Sequence, residues 1–187
     1  VTYNNLGCYY RKRRKLHTAL QMLDKALRLE LLSDHVDTPA TTHLNMSVVL
    51  SQLQKHRAAS EHADCAIELL KKSSDPRGIS GLVQALDKKP PGLLALAYHT
   101  MATQLEFLHE EGAALKMYEQ AADTAARSWG AEHGKALKMQ QDYRAAHRRA
   151  YPEEYEAEEE KQRKALAKQQ RQQALEDDDD DRDLGTP

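Results

Sequence analysis

Six small or apolar positions recur three times along this chain in the same register. The first copy reads Leu6-Gly7, Tyr10, Ala19, Leu23, Ala26. The second reads Met46-Ser47, Leu50, Ala59, Ala63, Ala66, and the third Met101-Ala102, Leu105, Ala114, Tyr118, Ala121. Spacings of three, four and seven residues follow the helical period. An ordinary core wants bulk. A glycine or alanine at a fixed place instead lets two helix backbones approach closely. The pattern therefore predicts helix hairpins, each unable to bury its apolar face alone and each relying on its neighbour in a stack.

These residues resemble the tetratricopeptide repeat (TPR) pattern of Leu-Gly, Tyr, Ala, a large apolar residue and Ala in a helix-turn-helix unit. Tyr3, His43 and Tyr98 stand where that family usually has tryptophan. The closing proline of the family is missing from its usual place in every copy, and Ser47 and Ala102 replace the glycine. The resemblance implies an all-α protein: a right-handed superhelix of antiparallel helix pairs, followed by a long charged helix.

The expected organisation is a repeat domain over 1–151, with copies at about 1–32, 39–72 and 93–128. The period from copy one to copy two is 40 residues, longer than the usual 34 and similar to the lengthened repeats of kinesin light chain-type adaptors. Thr38 reads as a helix cap and Pro39 as a first helical residue. An insertion over 73–92, rich in Ser, Gly and Pro, reads as a loop with a short helix around Leu82–Leu86. Trp129-Gly130 reads as a helix end, and a capping helix is expected over about 133–150 with Leu137, Tyr143 and Ala146 on its inner face.

Beyond Pro152 the composition changes. Residues 152–176 carry few large apolar side chains but do carry Glu159 with Arg163 and Glu160 with Lys164, which predicts a solvated helix held by its own ion pairs. The acidic end, 177–187, should be disordered. The net charge of -2 thus hides a basic head and an acidic tail. Residues 11–15 are Arg-Lys-Arg-Arg-Lys, which suits either a solvated turn at a helix end or a meeting with an acidic partner.

No phosphate loop, zinc-binding His-Glu-x-x-His or nucleophile elbow occurs, so no catalytic residue and no cofactor is expected. The nine histidines lack an i, i+4 pair, which argues against a metal site, and Cys8 and Cys65 read as buried small hydrophobes. The basic cluster lacks interleaved aromatics, which disfavours nucleic acid. No run of about 18 apolar residues suggests a membrane span. A small-molecule substrate is not expected.

The resemblance implies a non-catalytic adaptor or scaffold that binds a partner peptide or helix in the concave groove lined by the first helix of each pair. Transferred by register, that groove comprises Asn4, Asn5, Cys8, Arg11 and Lys12; Thr41, Leu44, Asn45, Val48 and Gln52; and His99, Thr100, Thr103 and Phe107. A structural part in a cytoskeletal or ciliary axonemal assembly, and a regulatory domain of a larger enzyme, are the alternatives. The setting implied is cytoplasmic, with the cytoskeleton or cilium as the more specific address. Val1 stands where a methionine is usual, which suggests a fragment of a longer chain.

Overall fold

Three turns of the same shape organise the chain. Arg14, Gln54 and His109 each adopt a left-handed backbone, with φ of 61°, 61° and 60°. They lie 40 and 55 residues apart, the distances that separate the repeat copies. Their hydrogen bonds also match: the amides of Lys15, Lys55 and Glu110 donate to the carbonyls of Tyr10, Leu50 and Leu105, at 3.0, 2.9 and 2.9 Å. One left-handed residue ends a helix and reverses the chain within three residues. The repeat is therefore a property of the backbone as well as of the side chains.

The computed structural model describes residues 2–32, 39–72, 92–157, 160–161 and 163–165. Seven helices are bounded there: α1 (Thr2–Lys12), α2 (Leu16–Leu31), α3 (Pro39–Gln52), α4 (His56–Lys72), α5 (Leu93–Phe107), α6 (Glu111–Trp129) and α7 (Gly134–Ala150). Among the described residues there is no strand. Pro39 opens α3 as expected, since its fixed φ and missing N–H suit a first helical position. The expected cap Thr38, the insertion 73–91 and the tail from 166 lie outside the described residues.

The structure has two compact units, Val1–Ala146 and His147–Pro187. In the first, α1 packs on α2, α3 on α4 and α5 on α6, and each pair contacts the next in chain order. The recurring small residues sit where helices meet: Ala19, Ala59, Ala63, Ala66, Ala102, Ala114 and Ala121 are all at most 1% exposed. Gly7 lies so close to α2 that a Cβ on it would stand 2.6 Å from Leu23 Cγ. Ser47, at the equivalent place in α3, donates its hydroxyl to the Ala59 carbonyl at 2.7 Å, so its one polar atom is satisfied inside the pair. Tyr10, Leu50 and Leu105 fill the adjoining space as expected, half-buried, buried and buried. Burying a leucine or methionine here contributes about 1.5–3 kcal/mol each, while the alanines contribute close approach more than area.

The N-terminal residues of α7 close the largest cluster, with Ala136 and Met139 buried beside Tyr98, Ala121 and Ala125. Ala146 is buried with Ala102 and Tyr118, and Tyr143 packs on them. Leu137, expected on the inner face, is instead 44% exposed. Met139 takes that place because Ala136, Met139, Tyr143 and Ala146 follow the 3–4–3 spacing of one helix stripe, and Leu137 falls outside it. Cys65 is also a correction, being exposed on α4.

In the second unit, residues 152–157, 160–161 and 163–165 are helical and exposed, except half-buried Tyr155. Lys164 pairs with Glu160 at 2.7 Å, one of the two ion pairs expected. The Tyr155 hydroxyl lies 3.3 Å from His147 Nδ1 and its ring lies under Arg148. The unit therefore starts before Pro152, because these residues gather around Tyr155.

Candidate partner-binding face

The first helices lie side by side. α3 touches both α1 and α5, while α2 and α4 each pack on their own partner and on the next first helix. This brings the residues selected by register onto neighbouring helices, and their exposure separates them into three groups. Asn5, Lys12, Gln52 and Phe107 are exposed; Asn4, Cys8, Arg11, Thr41, Asn45, Val48, His99, Thr100 and Thr103 are half-buried. Leu44 is buried in the core with Ala40, Ala66 and Ile67, so it supports the face from below and is not available to a partner.

Many of the polar members already serve the fold. Asn45 donates its amide to Asn4 Oδ1 at 2.8 Å, tying α3 to α1. Asn5, its repeat equivalent, takes no part in that bond and stays exposed. Each bonded amide keeps the other half of its donor and acceptor capacity. Thr100 and Thr103 donate back to the carbonyls of Leu96 and His99, four residues earlier, the usual way a mid-helix threonine satisfies its hydroxyl. His99 Nε2 lies 2.8 Å from Asp142 Oδ2 of α7, so that histidine is held by the capping helix. Below it, the Tyr118 hydroxyl donates to Glu106 at 2.7 Å, and burial together with that carboxylate pushes its pKa up to about 12.

Two features depart from a saturated network. Arg11 Nε is buried with no hydrogen-bond partner. An unmet buried donor costs roughly 1–3 kcal/mol, and with Nε closed off from solvent that cost is carried within the fold. Phe107 is 54% exposed, yet its ring is stacked on His56 at 4.1 Å and 15°. A preorganised aromatic ring in a polar row offers contact area at little entropic cost.

Sequence spacing missed one association. His43 and His62 meet between α3 and α4, with their Nδ1 atoms 2.9 Å apart. One ring must donate and the other accept, so at most one Nδ1 carries a proton. Burial lowers the pKa of both; the nearby His62 lowers that of His43 further, while Glu61 partly offsets the lowering at His62. No spacing rule finds such a pair, because the two residues lie on different helices. His62 also lines a groove of about 420 Å³ between α2, α3 and α4, floored by Leu20, Met46 and Leu50. Tyr9, half exposed on α1, was likewise absent from the register-based set.

No protein-family model matches the chain, and no curated protein matches it. Among the described residues, no group of three or more His, Cys, Asp and Glu could hold a metal ion. No helix among them is long and apolar enough to cross a membrane.

Proposed function

We propose that this chain is a non-catalytic, TPR-like protein-interaction module, its helix pairs winding as a right-handed superhelix, that holds a partner peptide or helix against α1, α3 and α5. The observation that carries the reading is the row those helices form: exposed Asn5, Lys12, Gln52 and Phe107 beside half-buried Arg11. Bidentate amides suit an extended backbone, and the cations at one end suit an acidic flank on the bound segment. The cytoplasmic, cytoskeletal or ciliary settings remain alternatives for where such a module works.

A photo-crosslinking side chain placed at Gln52, with a second variant carrying it at Glu61 on α4, tests the face. Partner crosslinks should concentrate at position 52 and fall when Asn5 and Phe107 are replaced by alanine. Crosslinks that concentrate at position 61, or that ignore the Asn5/Phe107 variant, would move recognition to the second helices.

A further inference from the structure

One hairpin of the stack differs in chemistry from its equivalents. By register, His43 on α3 corresponds to Tyr3 and Tyr98, and His62 on α4 to Met22 and Met117. Copies one and three therefore carry a tyrosine and a methionine at these two places. In copy three Tyr98 is buried in the core, and Met117 packs against the same cluster. Tyrosine and the adaptable methionine serve the packing there, so the stack itself does not call for imidazoles. Copy two exchanges both residues at once. The double exchange sets two ring nitrogens against each other across the hairpin, Nδ1 to Nδ1 at 2.9 Å.

That spacing suits a cation as well as a shared proton. Two imidazole nitrogens at right angles about a metal at about 2.0–2.1 Å stand about 2.8–3.0 Å apart, whereas a tetrahedral pair needs about 3.3–3.4 Å. Right angles and nitrogen ligands are the preference of Cu²⁺ and Ni²⁺, while Ca²⁺ and Mg²⁺ seek oxygen. The backbones that carry the rings are fixed: Ala59, Ala63 and Ala66 of α4 are fully buried, and Ser47 of α3 bonds the Ala59 carbonyl at 2.7 Å. Both rings are half-buried, so solvent reaches them. Exposed Glu61 and Asp64 flank His62 and make no ion pair among the described residues, so the local field favours a cation. Neither Nε2 bonds to protein among the described residues. The ring that donates from Nδ1 can therefore carry its proton on Nε2 instead, which frees both Nδ1 lone pairs. Small turns about χ2, a soft torsion in histidine, bring them to one point. We propose that His43 and His62 form a two-histidine site for a divalent transition-metal cation of the copper–nickel kind. Water fills the remaining positions, and the bound cation staples α3 to α4. The site does not depend on partner binding at α1, α3 and α5.

The probe is Ni²⁺ alone, which leaves the thiols of Cys8 and Cys65 unoxidised. The whole chain, without an affinity tag, is titrated by isothermal titration calorimetry. Wild type should take up a single tight equivalent. His43→Gln or His62→Gln should weaken it roughly tenfold or more, since each removes half of the protein ligands, and His109→Gln should leave it unchanged. The double variant His43→Tyr with His62→Met carries the residues of copies one and three, so it should keep the helical circular dichroism and lose the site. Saturating Ni²⁺ should raise the melting temperature of wild type and not that of the double variant. Paramagnetic broadening of imidazole NMR signals reads the site in wild type alone, and it should centre on His43 and His62. Equal uptake of Ni²⁺ by the double variant, broadening centred on other histidines, or Mg²⁺ bound as tightly as Ni²⁺ would overturn the proposal.

Discussion

Gly7→Ala is the smallest change that tests why a glycine stands at the first helix crossing. The added Cβ would lie 2.6 Å from Leu23 Cγ, 2.7 Å from Leu23 Cδ2 and 3.4 Å from the Ala19 carbonyl oxygen. Leu23 is 1% exposed, and the nearer atom is its branch point, so the side chain has no free end to swing away. Either the leucine leaves its rotamer or α1 and α2 separate, at a cost of about 1–3 kcal/mol. Alanine recovers about 0.5–1 kcal/mol in a helix interior, leaving a net loss of roughly 0.5–2 kcal/mol. For a unit of this size that lowers the melting temperature by about 1–8 °C. Urea melts of wild type, Gly7→Ala, Leu23→Ala and the double variant form the assay. Leu23→Ala alone should cost about 2–5 kcal/mol, and in its presence Gly7→Ala should become neutral or stabilising. A Gly7→Ala protein as stable as wild type, or additive effects in the double variant, would refute the close-packing account.

Stability should decline as pH falls from 7 to 5.5, because His43 and His62 have folded pKa values below the ordinary 6.5. The unfolded chain then binds more protons, so stability is full above about 6.5 and is lost below it, at no more than about 1.4 kcal/mol per pH unit for each histidine. Glu30, whose carboxyl is raised by burial, acts in the opposite sense just above its ordinary 4.5, so the scan should stop at 5.5. His62→Gln should flatten the slope measured by chemical denaturation; an unchanged slope would exclude the pair. Gly92→Ala should destabilise by about 2–5 kcal/mol, since Gly92 is left-handed at φ 76° and its Cβ would enter the Trp129 ring. The emission of Trp129, the only tryptophan, should shift to the red. Gly112→Ala has open space around it and a helical backbone, so a gain of about 0.5 kcal/mol is expected in the same melts.

The helix pairs were legible because the repeat is written in two places at once. Small residues mark the crossings, and the residue at the Leu23 position varies with them: Gly7 lies against Leu23, whereas the copies with Ser47 and Ala102 carry Ala63 and Tyr118 there. A Cβ is tolerated where the opposing side chain is small, or flat as in the Ala102–Tyr118 cluster. The left-handed turns were not legible. Arginine, glutamine and histidine occupy them, and none of these is a left-handed signature as glycine is. The stack imposes that backbone on them, at about 1–2 kcal/mol per turn, and tertiary packing outweighs the cost. Leu137 misled for a related reason. A short helix with alanines on several sides has no single obvious stripe until its neighbour chooses one.

The candidate face was legible as helices but not as atoms. Register placed Asn5 and Asn45 at equal rank, yet only Asn45 bridges to the preceding helix, and it does so through Asn4. The difference is position in the stack: α3 has a first helix before it and α1, among the described residues, has none. The same asymmetry leaves Tyr3, Leu6 and Tyr9 uncovered, while the corresponding side of α3 carries His43 and Met46 against its neighbours. A repeat motif specifies what each unit offers, and only the order of units decides which offers are taken up within the fold.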